Sequence, residues 1–232
     1  MKCSYCQKTI TRSLTLKEIF LPIASIEEEL CSACLQQFRF VETSNACVGC
    51  QKQLLAGEEK YCQDCLTWQR CYPDYDFHHQ ALFCYDEAFK NWIHQYKIAG
   101  DYRLRTTFNK EVRKSLQPYL KAGYLIAYLP LSEKRYRQRR FNQVLAFLQA
   151  ANIPTQPLLK RKKHLPAQAE KNRQERLLMP QPFELAALPE TLKNQKILLV
   201  DDVYTTGRTM FHGASCLLAA QPQILRTFSL AR

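Results

Sequence analysis

Long hydrophobic runs are missing from this sequence. No apolar stretch approaches the roughly 18 residues that a transmembrane helix needs. The first residues, Met-Lys-Cys-Ser-Tyr-Cys, lack the hydrophobic region of a secretory signal peptide. We therefore expect a cytoplasmic protein with no transmembrane segment, which would reach the inner face of the membrane only through partners. In that reducing compartment the 11 cysteines predict metal binding rather than disulfides.

The sequence also lacks the polar, aromatic-poor composition that is typical of disordered chains. Hydrophobic residues make up 46% of the 232 residues and aromatic residues 11%, which indicates a packed core. The net charge is +12, and it is unevenly placed. Residues 133–176 hold 12 basic and three acidic side chains, so they carry +9 of that charge. Such a concentration predicts an anionic partner.

Four C-x2-C pairs occupy the first 68 residues. Each pair places two thiolates on a tight turn, and two such turns complete a tetrahedral zinc site. The pairs follow one another as an A-B-A-B repeat, so a sequential grouping is the simplest, but an interleaved one also has a comfortable spacing. Either grouping predicts two structural zinc ions, with no open position for catalysis. The predicted ligands are Cys3, Cys6, Cys31, Cys34, Cys47, Cys50, Cys62 and Cys65.

The rest of the chain has the pattern of an α/β domain with a parallel sheet. We predict a double zinc ribbon over 1–68, a linker over 69–77 with Pro and Asp turn formers, and the α/β domain over 78–232. Apolar runs of this kind are typical of strands that are buried on both faces. The predicted strands are 81–85, 124–130, 155–159, 197–200 and 224–230. The predicted helices are 86–97, 102–120, 141–151 and 210–220.

The stretch from Ile197 to Thr209 predicts the binding site. Its apolar strand ends at two adjacent carboxylates, and Thr-Thr-Gly-Arg-Thr then leads into a helix. Backbone N–H groups converge at such a turn and favour an anion. Paired carboxylates suit the hydroxyls of a ribose or a divalent ion on them. The predicted ligand is a ribose 5-phosphate, bound by Asp201, Asp202, Val203, Tyr204, Thr205, Thr206, Gly207, Arg208 and Thr209.

Two basic stretches are predicted as loops at the same end of the sheet. Residues 133–140 come shortly after the strand 124–130, at the strand end where α/β sheets bind ligands, and residues 160–176 have the composition of a flap. No recognition helix is evident, so these loops suit a single strand better than a duplex groove. The predicted nucleic-acid contacts are Lys134, Arg135, Arg137, Arg139, Arg140, Lys160, Arg161, Lys162, Lys163 and Arg173.

The segment Leu198–Thr209 resembles the signature of the type I phosphoribosyltransferases, which bind 5-phosphoribosyl 1-pyrophosphate (PRPP). The resemblance implies a phosphoribosyltransferase-like domain in which Asp201 and Asp202 bind the ribose hydroxyls, the loop binds the 5-phosphate, and magnesium arrives with PRPP. In an active transferase the two aspartates would be catalytic, because they stabilise positive charge on the sugar. A pyrophosphate loop would then consist of Ser132, Glu133, Lys134 and Arg135.

A wider set of motifs, together with the N-terminal cysteines, resembles the ComF family of competence proteins. These motifs are Phe83-x-Tyr-Asp86, Tyr96-Lys-x-x-Gly-Asp101, Pro130-Leu-Ser and Arg139-Arg-Phe-Asn-Gln143. The resemblance implies a late-competence role in DNA uptake, with single-stranded DNA and a helicase-like ATPase of the ComFA type as partners. Gln168 and Arg173 fall where relatives carry Gln and Arg.

No large hood domain that would recognise a nucleobase is evident in the sequence, although a base-salvage enzyme needs one. Three hypotheses follow. The protein handles incoming single-stranded DNA and binds PRPP or a nucleotide in its pocket. Alternatively, it is an active Mg-PRPP-dependent phosphoribosyltransferase with an unknown acceptor. In the third hypothesis it is a non-catalytic adaptor for the competence ATPase.

Overall fold

The computed structural model describes residues 2–10, 29–162 and 181–232. Three residues of the predicted flap, Lys163, Gln168 and Arg173, lie outside these described residues. The strands are β1 (His79–Phe83), β2 (Leu125–Tyr128), β3 (Leu159–Arg161), β4 (Phe183–Leu185), β5 (Lys196–Val203) and β6 (Ile224–Ala231). The helices are α1 (Ser32–Leu35), α2 (Gln63–Cys71), α3 (Glu87–Lys97), α4 (Asn109–Lys121), α5 (Glu133–Arg139), α6 (Gln143–Ala150), α7 (Pro189–Leu192) and α8 (Arg208–Leu218), with a 3₁₀ helix at Tyr102–Thr106. None of these described helices is both long and apolar enough to cross a membrane.

A four-stranded parallel sheet forms the centre of the molecule, in the order β1-β6-β5-β2. Side chains of β5 alternate between two cores: Ile197 and Leu199 pack on one face of the sheet, and Leu198 and Val200 on the other. A strand buried on both faces needs an unbroken apolar run, which is the pattern in the sequence. The predicted α/β fold with a parallel sheet is therefore confirmed. Because all four strands are parallel, their carboxyl ends meet at one edge.

Two predicted strand boundaries differ from the structure. The predicted strand 155–159 is mostly irregular, since β3 starts only at Leu159 and pairs antiparallel with β4 in a separate two-stranded sheet. Pro154 and Pro157 flank the irregular part and cannot donate to a ladder. In contrast, β5 continues past its apolar run through both aspartates, because Asp201 stays in register with Ser229 of β6.

The basic stretch 133–140 is not a loop, and that prediction was wrong. Helix α5 spans nearly all of it, and α6 begins at Gln143, within the predicted helix 141–151. Ser132 caps α5 by accepting a hydrogen bond from the Arg135 N–H, and Asn142 caps α6 through the Val144 N–H at 2.9 Å. The capping residues decide the local structure here despite the repulsion among neighbouring cations. On a helix the cations point in fixed directions, which a loop would not impose.

The cysteine-rich residues pack on both faces of the sheet. Cys3 and Cys34 belong to the core beside α3 and α4, whereas the last four of the paired cysteines belong to the opposite core beside α8. The connecting chain passes the outer edge of β1, where the Val41 N–H donates to the Leu82 carbonyl at 2.9 Å. This passage covers part of the edge of the sheet, which would otherwise expose unpaired backbone groups.

The predicted linker, residues 69–77, contributes to the core in the structure. Helix α2 runs to Cys71, and the side chains of Tyr75 and Phe77 are each only 8% exposed. The Phe77 ring lies 4.5 Å from that of Phe211 on α8. These residues therefore help to hold the cysteine-rich region on the sheet. The domain boundaries at 68 and 78 stay predictions from the sequence.

Candidate functional site

A pocket of about 490 Å³ opens at the carboxyl edge of the sheet, where β2 and β5 end. It contains the two aspartates of β5 and residues of the Thr-rich loop that follows. A smaller cavity of about 30 Å³ lies within the loop itself, lined by residues 203–210 and Asp201. The structure thus places the whole predicted phosphoribose segment, 201–209, around these two adjoining spaces.

The two aspartates have different surroundings. Asp202 is buried, and its carboxylate accepts hydrogen bonds from Lys97 Nζ at 2.8 Å and Gln143 Nε2 at 2.6 Å. Asp201 accepts the backbone N–H of its neighbour at 2.9 Å. Burial, reinforced by the negative charge of Asp202, raises the pKa of Asp201 to about 7. Asp202 is therefore held by a cation, and Asp201 exchanges its proton near neutral pH.

Lys97 and Gln143 were not predicted as site residues, although both stand in motifs that the sequence offers. Lys97 is the last residue of α3, and Gln143 is the first of α6. They lie 105 and 59 positions from Asp202 along the chain. Contacts between residues so far apart leave no spacing pattern in the sequence. The Tyr96 hydroxyl donates to the Gln143 carbonyl at 2.8 Å and so joins α3 to α6 behind the pocket.

The loop between β5 and α8 makes a sharp turn at Gly207. Its φ of +80° lies in the left-handed region. A Cβ atom at this position would also lie 2.2 Å from the Tyr204 hydroxyl oxygen, so only glycine fits. Helix α8 begins at the next residue. The three threonines of the loop, Thr205, Thr206 and Thr209, are exposed, and their hydroxyls are accessible to a ligand.

Three of the predicted nucleic-acid residues lie at the pocket. Arg135 and Arg161 line it, and Arg139 donates to Gln143 Oε1 at 3.0 Å. Arg161 also donates to the Pro130 carbonyl at 3.3 Å. Arg139 and Arg161 are only partly exposed, and this burial lowers the pKa of each guanidinium group. They add positive charge to the pocket that holds the aspartates.

The other described cations of the set form the exposed surface of α5 and β3. They are Lys134, Arg137, Arg140, Lys160 and Lys162. Of the predicted pyrophosphate loop, only Arg135 lines the pocket: Ser132 caps α5, and Glu133 lies 3.8 Å from Arg137. The predicted charge cluster is therefore divided between the pocket and the surface beside it.

The eight paired cysteines form two four-thiol clusters with the sequential grouping. The first cluster is Cys3, Cys6, Cys31 and Cys34, and the second is Cys47, Cys50, Cys62 and Cys65. In each cluster all the Sγ atoms lie within 4.8 Å of one another. Representative Sγ–Sγ distances are 3.8 Å for Cys6–Cys31 and 3.6 Å for Cys50–Cys62. A tetrahedral ion with Zn–S bonds of about 2.3 Å would separate its sulfurs by about 3.8 Å. Both clusters fit a structural metal ion.

The fold and these sites define a class: an α/β protein with a parallel sheet, an acidic pair and Thr-rich loop at the carboxyl edge, and two four-cysteine clusters. No protein-family model matches the chain. The competence protein ComFC of Streptococcus pneumoniae (strain ATCC BAA-255 / R6) is 35% identical over all 232 residues of both chains. ComFC of Bacillus subtilis (strain 168) is 25% identical over 220 residues, 93% of this chain and 88% of that one. The chain belongs to the ComFC family of competence proteins.

Solved structures with a partial similarity include phosphoribosyltransferases. Hypoxanthine phosphoribosyltransferase from Trypanosoma cruzi, in complex with the product IMP, is 15% identical and has a TM-score of 0.34, with 55% of this chain and 66% of that chain covered. The allosteric regulatory enzyme of purine biosynthesis is 12% identical, with a TM-score of 0.35 over 53% of this chain and 25% of that chain. Both overlaps cover only about half of this chain.

Proposed function

We propose that this protein acts in late-competence DNA uptake and that its pocket binds a phosphorylated ribose, either PRPP or a nucleotide. The observation that supports this most is the convergence of Asp201, the Thr205–Thr209 loop, Arg135 and Arg161 around one pocket at the carboxyl edge of the sheet. The relatives are named competence proteins, which gives the cellular setting. In that setting a helicase-like ATPase would be the protein partner.

Different residues of the pocket would bind different parts of a phosphoribose. The Asp201 carboxylate would accept hydrogen bonds from ribose hydroxyls, and it is an oxygen ligand of the kind that the Mg²⁺ of Mg-PRPP prefers. Asp202 would keep its orientation because Lys97 and Gln143 already hold it. The loop and the start of α8 would bind the 5-phosphate through N–H and hydroxyl groups. Arg135 and Arg161 would bind a second phosphate as charged donors.

The exposed cations beside the pocket would bind the backbone of single-stranded DNA. Lys134, Arg137 and Arg140 lie on or just after α5, and Lys160 and Lys162 lie on or just after β3. The Tyr136 side chain, among the cations of α5, is 55% exposed and offers a ring on which a base can stack. A groove of about 470 Å³ runs past Tyr136 and Arg137. Charge and stacking of this kind bind single strands with little sequence preference.

The two cysteine clusters would each hold a structural zinc ion. Four thiolates and no other donor make closed, tetrahedral sites that contribute to folding rather than to chemistry. Zinc is the expected ion, because thiolates are soft ligands and the sulfur spacing suits its tetrahedral geometry.

An active transferase is a second candidate, and one observation favours it. The pocket is also lined by Tyr85, Ile93, His94 and Ile98, which are outside the predicted phosphoribose segment and could contact an acceptor. Release of pyrophosphate from PRPP on addition of candidate acceptors would distinguish this activity from binding alone. A purely adaptor role would remain if neither PRPP nor DNA bound.

Thermal denaturation with and without Mg-PRPP tests the pocket. We expect a stabilisation of about 2.7 kcal/mol at a ligand concentration of 100 times Kd, and its loss in Asp201→Ala. Asp74→Ala, which removes an exposed carboxylate, is the matched control and should keep the full shift. An equal shift in Asp201→Ala and in the wild type would mean that PRPP binds elsewhere.

Salt dependence tests DNA binding. Replacing Lys134, Arg137 and Arg140 with Ala should weaken binding of a single strand and reduce the log–log salt slope by up to about 2, at about 0.7 per phosphate contact. A control with the same loss of charge replaces the exposed Lys114, Lys121 and Lys193, away from the pocket. If both triple variants lose affinity equally, the effect comes from net charge and the α5 surface is not the DNA site.

A further inference from the structure

We propose that Trp68 and Arg232 are positioning residues through which the second cysteine cluster holds the phosphate loop in its binding shape. The inference rests on the proposed function only in that the loop is taken to bind a phosphate. Helix α2, which carries Trp68, begins directly after one cysteine of this cluster and contains another. Arg232 directly follows β6, which lies beside the strand that leads into the loop.

Arg232 connects the cysteine cluster to the loop with one guanidinium group. Its Nη2 donates to Cys50 Sγ at 3.1 Å and its Nε to the Cys50 carbonyl at 3.2 Å. On the other side Nη1 donates to the Thr205 carbonyl at 2.7 Å. The guanidinium also lies over the Tyr204 ring, 4.8 Å from its centroid. A planar fork with several donors can span a thiolate and a carbonyl in this way.

Trp68 makes the second connection. Its indole Nε1–H donates to the Thr206 carbonyl at 2.8 Å. The indole stacks on Phe211 in the first turn of α8, with ring centroids 4.3 Å apart and planes at 12°. A Cβ atom on Gly207 would lie only 3.1 Å from this indole nitrogen, so the loop backbone rests against Trp68. The hydrogen bond fixes the turn at Thr206, and the stacking fixes the first turn of α8.

The two hydrogen bonds act on consecutive peptide groups. In a planar trans peptide the carbonyl and the following N–H point in opposite directions. Holding the carbonyls of Thr205 and Thr206 towards the cysteine cluster therefore turns the N–H groups of Thr206 and Gly207 away from it. Successive N–H groups that point to one side form a concave anion site. The donors for a phosphate are thus oriented from behind by residues that do not touch the ligand.

Two variants remove the connections with little change in packing. Trp68→Phe keeps an aromatic ring on Phe211 but removes the indole donor, and Arg232→Gln removes the charged fork. Arg226→Gln is the control, because Arg226 lies on β6, the strand that leads to Arg232, and bonds to Asp76 instead. All variants are prepared with bound zinc, and the zinc content is measured to confirm that both clusters are intact. Hydrogen–deuterium exchange is followed in the peptide that covers 204–210, and the Kd for Mg-PRPP is measured.

We expect the 204–210 amides to exchange at least about tenfold faster in Trp68→Phe and Arg232→Gln, and at the wild-type rate in Arg226→Gln. The Kd for Mg-PRPP should rise about fivefold for the loss of the neutral donor and ten- to hundredfold for the loss of the charged one. Arg232→Lys should rescue part of this loss, because an ammonium group keeps the charge but is a single point donor that cannot bridge both partners.

The exchange measurement decides the inference independently of the ligand. Unchanged exchange at 204–210 in both Trp68→Phe and Arg232→Gln would overturn it, even if PRPP binds. If wild-type protein binds neither PRPP nor a nucleotide, the proposed function of the pocket fails, whereas faster loop exchange in the two variants would still establish the connection. Full rescue by Arg232→Lys would also contradict the bridging role, because charge alone would then be sufficient.

Discussion

The two faces of the sheet contribute to the pocket by different means. On the face of the first cysteine cluster, α3 and α6 send the side chains of Lys97 and Gln143 to Asp202. On the face of the second cluster, Trp68 and Arg232 hold backbone carbonyls of the phosphate loop. Side-chain contacts set the charge and direction of a carboxylate, whereas backbone contacts set the shape of an anion site. Substitutions on the two faces of the sheet should therefore have different effects on stability and on loop exchange.

The two cysteine clusters also differ in their burial and in their contacts. Every cysteine of the second cluster is buried, and its core includes Trp68 and Phe211 at the loop. In the first cluster Cys6 is exposed and Cys31 is partly so. The first cluster contacts the core beside the 3₁₀ helix, where the Ser4 hydroxyl donates to Thr107 at 3.2 Å. Among the residues that the structure describes, Arg232 and Trp68 connect the second cluster to the loop, and the first cluster has no such connection.

The largest effect should come from replacing one thiolate in each cluster. Cys65→Ser and Cys34→Ser are a matched pair, because their side chains are 2% and 3% exposed. Each should lower the zinc content from about two ions per chain to about one, since a four-thiolate site loses most of its affinity with one ligand. Only Cys65→Ser should speed exchange at 204–210 and abolish the thermal shift with Mg-PRPP.

Zinc analysis, exchange mass spectrometry and thermal denaturation on the same preparations provide the measurements. Wild-type protein purified without chelators is the reference. If exchange at 204–210 became equally fast in Cys65→Ser and Cys34→Ser, the contrast between the two clusters would be wrong. Each cluster would then affect the loop only through the overall stability of the protein. A zinc content near zero in the wild type would contradict the assumption that each cluster holds a zinc ion.

The next effect concerns the face of the first cluster. Lys97→Met leaves the Asp202 carboxylate buried without its cation, which should cost about 3 kcal/mol of unfolding free energy. Lys90→Met on the same helix breaks an exposed pair with Glu87 and should cost much less, because water screens that pair. Urea denaturation measures both values.

Loop exchange at 204–210 should stay at the wild-type rate in Lys97→Met, in contrast to Cys65→Ser. This difference in loop exchange would distinguish the two faces of the sheet. Lys97→Met would change the charge around Asp202, whereas Cys65→Ser would change the shape of the loop. Similar losses of stability in Lys97→Met and Lys90→Met would show that the Lys97–Asp202 pair contributes no more than an exposed one.

The last effect should be a change in the pH dependence of stability. The pKa of Asp201 is raised to about 7 in the folded protein, from an ordinary value of 3.8. The folded state therefore binds this proton more tightly than the unfolded state, so the contribution of Asp201 to stability falls as the pH rises from about 4 to about 7. Asp201→Asn should remove this slope and melt a few degrees higher than wild type at pH 8.

Melting curves from pH 5 to pH 8 check this expectation, with the exposed Asp74→Asn as the control that keeps the slope. At pH 5 the difference between Asp201→Asn and wild type should shrink. A constant difference across the range would mean that the pKa of Asp201 is not raised. The same proton should weaken binding of Mg-PRPP below pH 7, because the ligand needs the carboxylate.

Patterns within a short stretch of sequence predicted much of this molecule. The C-x2-C repeat predicted two four-cysteine clusters, because neighbouring residues alone place two thiolates on one turn. The apolar run before Asp201 predicted the central strand, and the segment 201–209 lies together at one pocket. Where local signals competed, the prediction failed: the cations of 133–140 suggested a loop, but Ser132 caps a helix there.

The sequence by itself therefore determined the family, the α/β class and the segments that could carry chemistry, because motifs and periodicity are properties of neighbouring residues. Only the tertiary structure decided that the clusters pack on opposite faces, that Lys97 reaches Asp202, and that Trp68 lies beneath Thr206 across 138 positions of chain. Such contacts form when separate apolar surfaces are buried together, and burial depends on the whole chain. No spacing along the sequence records which of two faces a segment will cover.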